Sequence, residues 1–287
     1  MKKMSQLKYT LVFMLVLSSF SSKAQFALPD RVTGTPSYLD EIVKNYADEK
    51  AYPFSPNTSN LNAKIPVRIH IIKNIKGMPG VKTSDIETSL NLANSFFASI
   101  GIRFFIDSVN VINDYNYGFI ENNHLKKELL NLYATSNKIN LFLADSILMG
   151  SEKTYGFTYF PTDVDSNFIF LDKRYASGKY LTTMLGHFMG LLSTHENSRG
   201  VELSSEKNCA TAGDFICDTY ADPNLFGHVD STCIYSGSAR DNEGRYFVPT
   251  VANIMSNTPD ECKCIFTPLQ YKRMYYYFLK YRQKLKR

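Results

Sequence analysis

The chain has 287 residues, 44% of them apolar, which suits one large domain with a sizeable core, or one plus a small extension. Its formal charge is +5, and removing the four lysines that precede residue 25 leaves about +1. So even a balance leaves no nucleic-acid footprint and excludes nucleic acid as the partner.

The first segment reads as an export signal. Lys2, Lys3 and Lys8 are followed by a short apolar run, Tyr9 to Leu17, and by the small-x-small site Ser22-Lys23-Ala24. Residues 1–24 are therefore expected to be a signal peptide cut after Ala24. The run is shorter than the about 20 apolar residues that span a bilayer. No Cys follows the cut to carry a lipid. The mature chain is thus expected outside the cytoplasm, secreted or periplasmic, with no membrane attachment.

Residues 25–62 carry Pro29, Pro36, Pro53 and Pro56 without steady periodicity. They read as an N-terminal extension, partly loop, and as a candidate pro-segment. Asn57-Thr58-Ser59 is a glycosylation sequon. The main domain is expected over 63–287. Ile65, Val67, Ile69 and Ile71 alternate as a strand. Ser84-x-x-Glu87 has the form of a capping box and opens a helix that Gly101 closes. Ile102–Ile106 resumes as strand. Leu125–Tyr133 is predicted helix, Ile139–Ala144 and Phe168–Leu171 strands, and Tyr155–Phe160 an edge strand. A helix follows at about 178–190, then a long irregular segment rich in Cys, Gly and Asp. The last helix starts at Pro268, with Thr267 as its cap and Gln270 three residues on. From Thr267 to Arg287 there are seven basic residues and no acidic one. That stretch reads as one face of a helix packed on the irregular subdomain. The other reading is a basic, tyrosine-rich contact surface of an adhesion protein.

The stretch with the most chemistry is Leu181 to Glu196. A zinc peptidase of the metzincin type needs H-E-x-x-H-x-x-G-x-x-H. Two His four residues apart share a helix face, the Glu serves as general base, and a Gly lets the chain turn back with a third His. With His187 on the second ligand position, Gly190 falls on the turn glycine. The first ligand position is then Thr183, the general-base position Met184 and the third ligand position Ser193.

Several separated segments resemble the pappalysin family of metzincin peptidases, above all its secreted bacterial members. Ile65–Ile72 is similar to its first core strand, and Gly186–Leu192 to the end of its zinc helix. Gly213-Asp214-Phe215-Ile216-Cys217-Asp218-Thr219 resembles its G-D-x-x-C-D-T-P segment. Asn253-Ile254-Met255-Ser256 resembles its Met-turn, and Cys262 with Phe266–Gln270 its C-terminal signature. The resemblance runs from about residue 64 to the end. It implies an α+β, metzincin-like fold with a twisted mixed sheet and helices. An irregular, disulfide-bonded C-terminal subdomain follows, with a cleft between the two.

The departures fall on the chemistry. Beside Thr183, Met184 and Ser193, the Tyr two residues after the Met-turn Met is Asn257, and the Pro after Asp-Thr is Tyr220. Gly190 and Met255 remain as scaffold, and His187 as the one retained ligand position. His195 and Glu196 lie just beyond Ser193, but His187 and His195 make a poor set where catalytic zinc has three protein ligands. Zinc is therefore not expected as a cofactor. The loop acids Glu202, Glu206, Asp214, Asp218 and Asp222 suit calcium, which relatives bind there, or are ordinary solvated acids. The cysteine clustering favours disulfides in an exported chain. The resemblance implies the pairs Cys209–Cys233 and Cys217–Cys262, leaving Cys264 free, buried or open to an intermolecular bond. The expected function is that of a catalytically inactive peptidase homologue that binds a peptide or protein. The alternative is an active zinc metalloendopeptidase with His187, His195 and Glu196 as ligands.

Overall fold

The computed structural model describes residues 38–55, 58–120, 123–149, 152–161 and 167–287. The expected signal peptide, its cut site and Asn57 of the sequon lie outside the described residues. In chain order the elements begin with α1 (Tyr38–Ala51), β1 (Ala63–Ile72), α2 (Thr83–Phe97), β2 (Ile102–Ile112), β3 (Phe119–Ile120) and α3 (Asn123–Tyr133). They continue with β4 (Ile139–Ala144), β5 (Ser146–Met149), β6 (Glu152–Thr154), β7 (Gly156–Thr158) and β8 (Phe168–Asp172). Helices α4 (Tyr180–Phe188) and α5 (Pro268–Tyr277) complete the set.

Five strands form the main sheet in the order β2-β1-β4-β8-β7, and β3-β5-β6 form a small second sheet. The contacts β2/β1, β1/β4 and β4/β8 are parallel, while β7 runs antiparallel to β8. Parallel strands covered on both faces read as nearly continuous apolar runs. β4, whose six residues are all buried, is the clearest case. Pro66 is tolerated in the interior strand β1 because β4 pairs only from Val67 onward, so no ladder bond is lost on that side.

One core lies between the sheet and α2 and α4, with Ile65, Ile69, Leu90, Phe97, Leu185 and Phe188 among its members. The opposite face packs β3, β5 and α3 over Phe142, Phe157 and Phe170, whose rings stack with centroids 4.8–4.9 Å apart. A third cluster joins α1 to α5 through Leu39, Ile42, Phe215, Tyr276 and Tyr277.

Most expected elements appear within a few residues of their predicted bounds. Four differ in an instructive way. First, α1 lies inside the stretch read as partly loop. Its order comes from tertiary contacts with α5, since Arg273 Nε donates to Glu49 at 3.0 Å and Asn45 Nδ2 to Tyr281 at 3.1 Å. Second, α2 begins at Thr83 with Lys82 as its cap, and Asp85 at the third position accepts from Lys82 N at 3.4 Å. The Ser84–Glu87 pair therefore starts two residues past the cap and is not the cap itself. Third, the expected edge strand at 155–160 is the three-residue β7.

Fourth, the disulfides pair differently. Cys209 bonds Cys217 and Cys233 bonds Cys262, so the pairs Cys209–Cys233 and Cys217–Cys262 are incorrect. Positive φ at Gly213 (63°) and Phe215 (62°) folds the chain back on itself, bringing Cys217 within 5.0 Å (Cα–Cα) of Cys209. Cys264 is exposed and not disulfide-bonded. The predicted cap of the last helix is present: Thr267 Oγ1 accepts from Gln270 N, and Gln270 Oε1 accepts from Thr267 N. The basic, tyrosine-rich face of α5 works inward. Tyr276 and Tyr277 are buried, Tyr271 donates to Phe96 O, and Lys280 donates to Asn45.

Candidate functional site

α4 carries the candidate residues on a short helix, and all eight residues from Leu181 to Phe188 are buried. Thr183 and His187 are four apart and share a face. Thr183 Oγ1 donates to Ile254 O at 2.9 Å. His187 Nδ1 lies 2.8 Å from Leu191 O, so a protonated Nδ1 donates to that carbonyl and closes the turn after the helix. Met184 is 1% exposed and its Sδ would sit 3.0 Å from a Cβ at Gly156 of β7. Met184 therefore fills space between α4 and the sheet, worth about 1.5–3 kcal/mol for a fully buried side chain of this size.

Gly190 is required twice over. Its φ is 97°, and a Cβ there would meet the Tyr277 ring at 2.8 Å. After this turn Ser193 is buried, with its hydroxyl lacking a hydrogen-bond partner among the described residues. His195 and Glu196 are buried nearby, and Glu196 Oε1 accepts from Ser198 N at 2.7 Å.

The turn 253–256 lies against α4. Lys263, 2% exposed, donates to Ile254 O at 2.9 Å and also to Ser256 O. Burial lowers its pKa to about 8. The ammonium and the Thr183 hydroxyl thus converge on one carbonyl. Asp222 Oδ2 accepts from Thr194 and from Ser256, both at 2.6 Å, tying the segment after α4 to the same turn. Asn257 donates to Asn224 at 2.9 Å. Neither Lys263 nor Asp222 in this tying role was legible beforehand: the signal, a lysine inside an otherwise apolar signature segment, is weak without the contacts.

These residues do not fit a catalytic zinc ion. The first ligand position is a hydroxyl spent on a carbonyl, and the base position is a thioether. Among the described residues no three His, Cys, Asp or Glu side chains converge on a point a metal could occupy. His187, His195 and Glu196 are not brought together as such a set.

The loop acids divide into two kinds. Asp218 accepts from Thr267 Oγ1 at 2.6 Å and from Leu269 N at 2.8 Å, so it serves the start of α5. Asp222 is spent as described. Glu202 and Asp214 differ: both Glu202 carboxylate oxygens and Asp214 Oδ2 are buried without a hydrogen-bond partner. Burial, with Asp214, Glu206 and Asp222 nearby, pushes the Glu202 carboxyl up to about 9. Burial raises Asp214 to about 7, against the pull of Arg273. Unmatched buried carboxylate oxygens of this kind are what a hard divalent cation satisfies.

Sheet, α4 and disulfide-bonded C-terminal region together make a mixed α+β fold that the chain shares with mirolysin. The chain is similar in structure to mature mirolysin of Tannerella forsythia in complex with a cleaved peptide. The TM-score is 0.59 at 16% identity, over 78% of this chain and 95% of that one. Against mirolysin in complex with compound 9 the TM-score is 0.56 at 15% identity, over 80% and 96% of the two chains. In sequence it is 25% identical over 255 residues to an extracellular metalloprotease of Arthroderma gypseum, covering 83% of this chain and 79% of the relative. No protein-family profile matches the chain. The extracellular relative and two disulfides suit an oxidising compartment. Among the described residues no helix is long and apolar enough to cross a membrane.

Proposed function

We propose that the chain is a secreted pappalysin-like metallopeptidase homologue that binds a peptide or protein in its cleft without cleaving it. The observation that carries this reading is the Thr183–Ile254 hydrogen bond. The first ligand position of the degenerate zinc motif is committed to holding the turn 253–256, which a ligand side chain could not do at the same time. Met184 in the base position supports it, since a buried thioether neither takes nor gives a proton.

Zinc quantification on purified protein made without a polyhistidine tag tests the reading. Less than about 0.1 equivalent of zinc and no cleavage of a peptide library are expected. Stoichiometric zinc together with chelator-sensitive cleavage overturns it. The competing reading, a zinc metalloendopeptidase using His187, His195 and Glu196, has against it that the three are not brought together as a metal-binding set. It requires His187→Ala to abolish zinc and cleavage together.

A calcium ion held in part by the unmatched buried oxygens of Glu202 and Asp214 is a proposal that titration tests. Calcium titration should raise the melting temperature of the wild type and leave Glu202→Gln unmoved. An equal rise in both would remove Glu202 from the site.

A further inference from the structure

One face of the main sheet packs on α2 and α4. His70 belongs to the opposite face, since its ring meets Asn110 and Asn140 at 3.3 Å and stacks on Phe142 at 4.3 Å. Side chains alternate along a strand, so Lys64 and Arg68 of β1 share the face of His70. By the same rule Lys138, two residues before Asn140, shares it too, and the register sets Arg103 of β2 beside Lys64. Toward Phe142 and Phe170 this face is apolar; toward the start of the strands it is cationic. Lys64 and Arg103 are exposed there and Arg68 is half-buried. The last residues of the chain add to the charge. Arg287 N donates to Lys64 O at 3.0 Å, and Arg287 Nη1 lies 3.2 Å from Asp107 Oδ1. Lys138 pairs with the same carboxylate.

Asp107 is the one acidic residue in β1, β2, β4, the loop 131–138 and residues 283–287, which together carry seven Lys and Arg. One carboxylate cannot balance them. Arg68 Nε is buried with no hydrogen-bond partner among the described residues. A guanidinium keeps its charge, and one partly desolvated without an acceptor is costly, so this face lacks an anion. The cations are also spread too widely for a single small anion. Three neighbouring strands span about 10 Å, and Lys64 to Arg68 along β1 spans about 13 Å. A chain charged at intervals fits that layout.

Two further observations say what kind of chain. Beside Lys138 lies a cavity of about 500 Å³ lined by Asn131, Thr135, Ser136 and Asn137, with Lys284 at its wall. Side-chain amides and hydroxyls both donate and accept, as the hydroxyls of a sugar do. The neighbouring edge is closed to a peptide backbone. β2 is the last strand on that side of the sheet. Asn94 Oδ1 accepts from Phe104 N at 2.7 Å and Asn94 Nδ2 donates to Phe104 O at 2.9 Å, occupying the backbone groups with which an added strand would pair.

We propose that this cationic face of β2, β1 and β4 binds an acidic polysaccharide. Lys64, Arg68 and Arg103 meet its sulfate or carboxylate groups, and the amide-lined cavity meets its hydroxyls. The site stands apart from α4, which packs on the other face against β7 and β8. It therefore holds or fails independently of the peptide-binding reading.

Isothermal titration of the full mature chain tests it, with dextran sulfate, polygalacturonate, neutral dextran and poly-L-glutamate as probes. Dextran sulfate or polygalacturonate should bind best, by about tenfold or more over neutral dextran and poly-glutamate, and should weaken as salt rises. The triple variant Lys64→Gln, Arg68→Gln, Arg103→Gln, checked by its melting temperature, should lose about tenfold or more of that affinity. A control with the same change in charge, Lys44→Gln, Lys76→Gln, Lys207→Gln, removes exposed lysines elsewhere and should lose less than about twofold. Asn131→Ala with Ser136→Ala should weaken binding by about 3- to 10-fold without changing its salt dependence. Poly-glutamate binding as tightly as the polysaccharides overturns the glycan assignment in favour of an acidic protein. Equal losses in the two triple variants overturn the site, because net charge alone would then account for binding. Unchanged affinity after Asn131→Ala and Ser136→Ala overturns the part given to the cavity. Absence of binding to both acidic polysaccharides overturns the whole.

Discussion

The thioether of Met255 rests directly on Gly186 of α4: a Cβ added to Gly186 would lie 2.6 Å from Met255 Sδ. The turn and the helix therefore approach as closely as backbone allows. Alanine is the better helix former by about 1 kcal/mol, yet Gly186→Ala should destabilise by about 1–3 kcal/mol, because overpacking at a rigid contact outweighs propensity. Urea denaturation of Gly186→Ala checks this. The double variant with Met255→Ala should recover part of the loss relative to the sum of the singles.

The disulfide pattern predicts two unequal losses. Cys209–Cys217 closes 8 residues and Cys233–Cys262 closes 29. Chain-entropy scaling puts their contributions at about 2.5 and about 3.5 kcal/mol. Replacing Cys233 and Cys262 by Ser should therefore lower stability more than replacing Cys209 and Cys217. Non-reducing peptide mapping should recover a linked 209/217 pair. A linked 209/233 pair would refute the assignment.

His70 predicts an acid-side weakness. It sits buried between Asn140 and Asn110, each 3.3 Å from a ring nitrogen, with its ring stacked on Phe142 at 4.3 Å. Burial lowers its pKa to about 4, below the ordinary histidine value of 6.5. Between those values the unfolded chain binds the proton and the native chain does not. Stability therefore falls as pH drops from about 6.5 to about 4, by on the order of 3 kcal/mol. His70→Gln should show a smaller loss between pH 7 and pH 4.5 in urea melts. An unchanged slope would exonerate His70.

Glu49 and Arg273 form an ion pair at 3.0 Å, with Arg273 also donating to Asp214 O and Phe215 O at 2.7 Å. Both side chains are nearly buried. Glu49→Ala leaves a desolvated guanidinium without its carboxylate, and should cost about 3–5 kcal/mol. Thermal melts of Glu49→Ala against the wild type check this.

Most of the sheet was legible in the sequence because its strands are apolar runs bounded by Gly, Asn and Pro. β4 appears at its expected bounds, and the Thr267–Gln270 cap forms as its spacing requires. Such local signals act within a few residues. α1 escaped because its helix depends on partners on the far side of the sequence, Arg273 and Tyr281. The cysteine partners escaped because a Cα–Cα approach depends on left-handed turns at Gly213 and Phe215 that spacing does not encode. The positions Thr183, Met184, His187 and Ser193 could be named from their spacing alone, but the bond from Thr183 to Ile254 could not.

The contact of α1 with α5 has a consequence for the order of assembly. Glu49 and its partner are separated by 224 positions, so the first helix described is finished by the last. As the chain emerges from a ribosome or an export channel, α1 waits for its partner until nearly everything else has been delivered. The final helix acts as a latch. A chain lacking it is not a smaller copy of the domain but one whose opening helix has nowhere to close.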